Sequence, residues 1–537
     1  MNPSRVRSWI GQGLLAIAAL AANAATLAAA DPNATACDEL ARVHLEGATI
    51  TSAHLIDAGT FKLPNGKALD SLPAFCRVEV VAEPSPDSRI NIEVWLPADD
   101  WNGRLWGVGN GWLAGSISQQ GLALRVSGGF AAVATDTGHQ AKPTNSDWAL
   151  GHPEKVVDFG YRGIHLAAVN GKRIVEAFYG KAPGHAYFSS CSNGGRQALM
   201  EAQRFPEDYD GIVAGAPAID WTHTWVGLGV VFDRWLAPGP GYLPAGKIPA
   251  LHRGVLAACD SSDGIKDGII GSPQRCGFDP SVLACKGADS VSCLTPEQVV
   301  TVRNLYRGVT LHSGVRLLNG YSPASELGWG DSLLGDGAWT GDLYHAVLDF
   351  YRNMVLEDPQ WDSHSFDGEA MMRLAERKLA GPLNAMDANL TRFISRGGKL
   401  VLYHGWGDSL LPPNGTVDYF FKVRKTVGVH AADSAVRLFM VPGMDHCGGG
   451  PGSNDFGQFS NGKGDADSNV MAAMQRWVEQ GVAPDRINAI RRREQGDPAD
   501  TVEVRTRPLC AYPKVAKFRG TGSTDEDINF ECAIATH

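Results

Sequence analysis

An α/β fold with a mostly parallel sheet and one large insertion is what this 537-residue sequence predicts. Three observations predict it. Short apolar runs alternate with runs of helical periodicity between Arg89 and Ala218. The alternation stops near Trp221 and resumes at Gly397. Several of the runs are apolar throughout, as strands covered by helices on both faces are. The bulk numbers agree with a globular chain: 44% of residues are hydrophobic and 20% charged. The net charge of -10 disfavours nucleic acid or an anionic membrane as partner, since both demand basic surface.

The elements follow in order. Arg5 and Arg7 precede "LLAIAALAANAATLAAA", with small residues at Ala28 and Ala30 and a second cleavage candidate at "ANA", Ala22 to Ala24. Residues 1–30 read as a secretory signal, which sends the mature chain to the periplasm or the outside. No later segment has eighteen uncharged apolar residues, so no membrane contact is expected after the signal is removed. "RINIEVWLP", "GRLWGVGNG" and "GFAAVATDTGH" are expected strands, and Tyr161 to Tyr179 is an expected helix with Ile164, Ala168, Ile174 and Phe178 on related faces. "HAYFSS" is a strand running into the turn "SSCSNGGR" and then the helix "RQALMEAQRF". "GIVAGAPA" is the next buried strand. Residues 218–396 form the insertion, rich in Gly, Trp and Asp. "GGKLVLYHGWGD" and "AVRLFMVPGMDHC" restore the strand pattern, and "NVMAAMQRWVEQG" is a helix. Residues 31–217 and 397–537 are thus one core.

Ligands and catalytic groups of such sheets gather in the loops beyond the carboxyl ends of the strands. Three of those loops hold Ser192, Asp408 and His446. Serine becomes a nucleophile when a histidine takes its proton, and an acid fixes the histidine's tautomer and stabilises its charge. The chain order Ser, Asp, His is that of α/β-hydrolases, although Ser190 stands where the G-x-S-x-G turn has its first glycine. Asp445 is the competing acid, but neighbours on a tight turn point apart. An oxyanion needs backbone donors. The N–H of Asn193 is one. "GVGNGW" offers the other, at Gly111, with Trp112 or Gly109 as alternatives.

A second cluster, "CDSSDGIKDGII", sets Asp260, Asp263 and Asp267 close together. Three carboxylates in one loop repel unless a cation sits among them, and calcium accepts carboxylates mixed with carbonyls, here those of Ile265 and Ile269. The spacing is not that of an EF-hand, and a solvated acidic turn is the alternative. The ten cysteines lack any C-x-x-C pair, and in an exported chain an even count reads as disulfides.

The pairs Cys191-Ser192 and His446-Cys447, with "WNGRLWGVGNGW", "ATDTGH", "YFSSCSNGGRQ", "YHGWGD" and "PGMDHC", resemble the tannase and feruloyl esterase family of secreted α/β-hydrolases. The resemblance implies that the insertion is a lid carrying a structural Ca2+ ion at Asp260, Asp263, Ile265, Asp267 and Ile269. It implies disulfides Cys37–Cys76, Cys191–Cys447, Cys259–Cys276, Cys285–Cys293 and Cys510–Cys532. It also implies a small-molecule aromatic ester as substrate: feruloyl or cinnamoyl esters first, galloyl esters or mono(2-hydroxyethyl) terephthalate as alternatives. Trp329 and Trp339 are candidates to stack on the aryl ring, with Leu410 and Leu411 as an apolar wall. Arg352 and Arg373 are the candidates for binding a free terephthalate carboxylate. The cysteines beside the triad are expected to bond on geometry as well: an exported chain oxidises its thiols, and a triad brings Cys191 and Cys447 within bonding range. A peptidase with the same triad, or a noncatalytic binding protein on this scaffold, are the other classes; the second normally lacks a triad member.

Overall fold

Nine strands build the central sheet in the computed structural model, which describes residues 32–63, 66–494 and 501–534. The expected signal, residues 1–30, lies outside the described residues. In chain order the strands are β1 (Ala48–Ile56), β2 (Phe75–Ala82), β3 (Ile90–Pro97), β4 (Arg104–Val108), β5 (Ala131–Thr135), β6 (His185–Cys191), β7 (Gly211–Gly215), β8 (Lys399–Gly405) and β9 (Val436–Val441). Their order across the sheet is β1-β2-β3-β5-β4-β6-β7-β8-β9.

The pairings β5-β4-β6-β7-β8-β9 are parallel, as the apolar runs predict. β1, β2 and β3 form an antiparallel edge. The first two strands carry no continuous apolar run in the sequence: β1 buries only Ile50 and Ala53, and β2, though mostly buried, has Arg77 and Glu79 between its apolar residues. Helix α1 (Gly163–Tyr179) packs on the sheet through Ile164, Ala168, Ile174 and Val175, and α2 (Asn193–Arg204) follows β6 after a single residue. All sheet strands that carry candidate groups (β4, β6, β8, β9) point their carboxyl ends to one edge, because parallel pairing aligns those ends.

The chain between β7 and β8 is largely helical and has its own apolar core. α3 (Trp221–Arg234) supplies Trp225, Val226, Leu228 and Val231 to it, and Leu305, Trp329, Phe350 and Leu383 come from farther along. This core also takes Leu113, Trp148 and Phe159 from the sheet-bearing part, so the insertion is seated on the loops of β4 and β5. The return to the sheet comes earlier than residue 397: Ala385, Ala388, Leu390 and Phe393 already pack in the sheet core. The boundary was set by where the apolar side chains go, and the strand pattern at Gly397 marks only where the backbone rejoins the sheet.

Five disulfides are present: Cys37–Cys76, Cys191–Cys447, Cys259–Cys276, Cys285–Cys293 and Cys510–Cys532. The last joins two antiparallel hairpins, Arg486–Glu494 with Thr501–Cys510 and Lys514–Phe518 with Phe530–Ile534, that follow the helix Val470–Gln480. No helix of the described residues is long and apolar enough to cross a membrane.

Candidate active site

Ser192 occupies the one-residue corner between β6 and α2 with φ 65° and ψ -125°. A left-handed backbone is costly for a residue with a Cβ and must be held by its surroundings. Its N–H donates to the Gly215 carbonyl at 2.9 Å, and its own carbonyl accepts from Arg196 at 3.0 Å and Ala218 at 3.2 Å. The turn is also crowded. A Cβ at Gly194 would run into Ser190 Oγ, and one at Gly195 into the carbonyl oxygen of Gly215. These two glycines are steric necessities here. The Ser190 side chain fills the space above Gly194, which is why the turn tolerates a serine in place of its first glycine.

Asp408 and His446 lie in the loops after β8 and β9. The loops are laced together: Trp406 N–H donates to Val441 O and Gly407 N–H to Met444 O, both at 2.9 Å. A side chain on Gly405 would collide with the Met444 carbonyl. This approach brings His446 Nδ1 to 2.8 Å from Asp408 Oδ2. Asp408 is fully buried. Its other oxygen, Oδ1, accepts from the N–H groups of Leu410 at 2.8 Å and Leu411 at 2.7 Å. Burial pushes this carboxyl upward, but the charge of His446 and the hydrogen bonds from His404 and His446 override it and hold it well below the usual carboxylate range. Burial works against a charged His446, while the Asp408 charge and hydrogen bond prevail and raise it above its ordinary 6.5. Asp445 turns away: its Oδ1 accepts the backbone N–H of Ser409 at 2.9 Å and of His446 itself at 2.8 Å.

The Cys191–Cys447 bond, with Cα atoms 5.9 Å apart, links the residue before Ser192 to the residue after His446. Ser192 Oγ and His446 Nε2 hydrogen-bond to no described residue. Long serine–histidine separations are common in ligand-free sites.

The N–H of Asn193 opens α2 and has no acceptor among the described residues, and the same holds for Gly111 and Trp112. Asn110 is excluded as a donor because its N–H is bound by Gln197 Oε1 at 2.9 Å. That bond and the one from Gln197 Nε2 to Asn110 Oδ1, at 3.1 Å, clamp the "GVGNGW" loop to α2.

Ser192 and Asn193 open into a cavity walled by Trp112, Trp221, Trp225, Leu228 and Leu343, with Leu410 and Leu411 as the sequence suggests. Two candidates are corrected. Trp329 is fully buried in the insertion's core, its Nε1 donating to Ser325 Oγ at 3.1 Å, so no ligand reaches its ring. Trp339 lines a different cleft with Phe232, Tyr344 and Trp361, stacks on Tyr344 and donates to the Phe232 carbonyl. Both stand in loop-rich sequence where tryptophan as core and tryptophan as platform look alike. The aromatic walls that do face Ser192 come from α3, whose start at Trp221 had marked the end of the sheet pattern. Their i, i+4 spacing was the available signal. Arg352 donates to the Trp361 carbonyl and Arg373 is exposed; neither lines the cavity. His404, four residues before Asp408, is a group that sequence reasoning passed over.

The acidic loop offers only oxygen donors, as a hard cation prefers. Asp263 is pushed upward by burial, a shift to which the Asp267 charge adds, and the carbonyls of Ile265 and Ile269 accept no hydrogen bond from the described residues. A dication would relieve both features, so the residues fit the ion in chemistry. The three carboxylates do not all come within 4.8 Å of one another. Asp260 accepts from the N–H groups of Asp267 and Gly268, and Asp267 is paired with Arg507 at 2.7 Å and Arg505 at 3.4 Å.

The sheet order and the strand-end loops define an α/β-hydrolase. A model of the family described as tannase and feruloyl esterase matches residues 76–533. A protein of Xanthomonas campestris pv. campestris named as an uncharacterised esterase is 39% identical over 542 residues, 96% of this chain and 93% of its own length. An Aspergillus terreus protein named "Probable feruloyl esterase B-2" is 33% identical over 95% of this chain and 97% of its own. The crystal structure of feruloyl esterase B from Aspergillus oryzae shares 29% identity with a TM-score of 0.85, covering 93% of this chain and all of that one. The chain belongs to the tannase and feruloyl esterase family and is a carboxylic ester hydrolase with a small-molecule ester as substrate.

Proposed function

We propose that the protein is an exported serine esterase that cleaves esters of hydroxycinnamic acids such as ferulate through an acyl-enzyme. The observation that carries this reading is the coupled pair His446–Asp408 beside a serine that opens into an aromatic, apolar cavity. In the cycle, His446 takes the Ser192 proton as Oγ attacks the ester carbonyl. Asp408 fixes the Nε2-accepting tautomer and stabilises the imidazolium. The N–H of Asn193, with that of Gly111 or Trp112, receives the developing oxyanion. His446 then protonates the leaving alcohol, and water repeats the sequence on the acyl group.

The cavity favours the acyl half of a cinnamate over the alternatives. Tryptophan and leucine walls suit an aryl ring with its vinyl arm. No Lys or Arg lines it, so the free carboxylate of a terephthalate monoester has no counter-charge. Thr224 and Asn193 are the few polar partners for a gallate's three hydroxyls. Five disulfides suit an oxidising compartment, periplasmic or extracellular. Calcium at Asp260, Asp263 and Asp267 with the carbonyls of Ile265 and Ile269 is part of the proposal; the ion would neutralise the loop's charge.

Methyl ferulate, methyl gallate and mono(2-hydroxyethyl) terephthalate compared under one set of conditions test the substrate, and Ser192→Ala tests the nucleophile. Ferulate should show the highest kcat/KM, and Ser192→Ala should cost roughly four to six orders of magnitude in rate. A variant keeping a tenth of the activity, or a preference for terephthalate, would refute the respective claim.

A further inference from the structure

We propose that His404 is a second, positioning histidine of this site, one that aims the Asp408 carboxylate at His446 and draws off part of its charge. The proposal rests on the triad reading above.

His404 sits near the end of β8, 1% exposed, with its ring turned toward the loop that carries Asp408. Its Nε2 is 2.9 Å from Asp408 Oδ2 and 3.1 Å from the Leu411 carbonyl oxygen. Both neighbours are acceptors, so Nε2 carries the proton. Its Nδ1 is 2.8 Å from Thr416 Oγ1, whose hydroxyl donates to it in the neutral ring. The tautomer is therefore set by three partners.

The oxygen that His404 meets is the same Oδ2 that accepts from His446 Nδ1. One carboxylate oxygen gives each of two N–H donors less than it would give either alone, and in a buried site that sharing is strong. His404 thus does two things. It fixes the direction of Oδ2, which has no backbone donor of its own, while Leu410 and Leu411 N–H fix only Oδ1. It also limits how far Asp408 raises the basicity of His446. The other titratable groups that face the pair are Asp445, from the loop after β9, and the Tyr321 phenol from the insertion; helix Asn414–Val427 brings the neutral Thr416.

The test is the pH dependence of kcat/KM with p-nitrophenyl acetate, a generic ester that leaves the natural substrate out of the question. His404→Phe removes the donor. We expect kcat to fall roughly ten- to hundredfold as Oδ2 loses its aim. The acid limb should move up by about half a pH unit or more, because the whole of the Asp408 charge then acts on His446. His404→Gln, whose amide N–H reaches the same oxygen, should restore the wild-type limb and most of kcat. His404→Asn stops short of Asp408 and should reproduce the shift, which keeps the test available where the Phe variant does not fold. A folded Phe or Asn variant with an unmoved limb, or a Gln variant no better than Phe, overturns the proposal. Asp408→Asn run alongside separates the two readings. If it stays active, the triad assignment falls; if it is crippled while His404→Phe behaves as wild type, only the role of His404 falls.

Discussion

The carboxylate of Asp408 meets four donors, two from backbone and two from histidines, in a place without solvent. A buried charge survives only with such company. Asp445, one residue from His446, bonds backbone N–H groups and makes no hydrogen bond to the imidazole ring. Asp408→Asn should therefore lower kcat by about 10^4-fold, as loss of the charge and the tautomer does in other triads. Asp445→Asn should stay within about tenfold of wild type. Equal losses in steady-state assays would reverse this assignment. In the proposed cycle His446 must be neutral to accept the Ser192 proton, and its basicity is raised by Asp408. Activity should therefore be lost as pH falls through a value above 6.5 and be complete above it. A kcat/KM profile whose acid limb lies below 6.5 would contradict the coupling.

At the scale of elements, the Ser192 corner and the His446 loop are tied to each other by one covalent bond. Cys191–Cys447 spans 256 residues of sequence. Loop-closure entropy assigns such a bond about 5 kcal/mol, though the mechanism is disputed. Its greater effect is positional: β6 and β9 are separated in the sheet by β7 and β8, and the bond spans that gap at the strand ends. Replacing both cysteines with alanine should lower kcat at least tenfold in material that still folds, since small displacements of reacting groups are costly. A double variant with full turnover and a normal circular dichroism spectrum would assign the bond to stability alone. α3 is the other decisive element. Its Trp221 and Trp225 face the cavity, so Trp225→Ala should raise KM for methyl ferulate more than for an acetyl ester, read from the two KM values side by side.

At the scale of the whole molecule, apolar clusters cover both faces of the sheet, and another fills the insertion and reaches Leu113 and Phe159 in the sheet-bearing part. The acidic loop faces Arg505 and Arg507 of the C-terminal hairpin, and Ile269 packs close to Gly443 in the loop after β9. A cation there would tie the insertion to that hairpin by mass action without touching substrate. Chelation should lower Tm by about 5–10 °C while changing kcat at 25 °C by less than twofold. Calorimetry with and without EDTA, beside elemental analysis of the purified protein, checks this, and a chain free of metal with an unchanged Tm would exclude the ion.

The sequence by itself determined the parallel strands β4 to β9, because each is an apolar run bounded by turn residues. It also determined the three strand-end residues, because parallel topology sends all such ends to one edge. It placed the insertion, and the cysteine pairs followed from the family likeness. Tertiary structure alone decided the rest. Trp329 and Trp225 are both buried in the insertion's core, and only the position of Trp225 on the cavity beside Ser192 separates them, although both read as tryptophan in an apolar setting. The sequence already favoured Asp408 over Asp445; what only the fold supplied is the lacing of two loops through Gly405 and Gly407, segments some forty residues apart, that brings the Asp408 carboxylate onto His446. His404 became visible only when its ring nitrogen was seen on Asp408, because a histidine in a strand carries no local mark of the partner that another loop will supply.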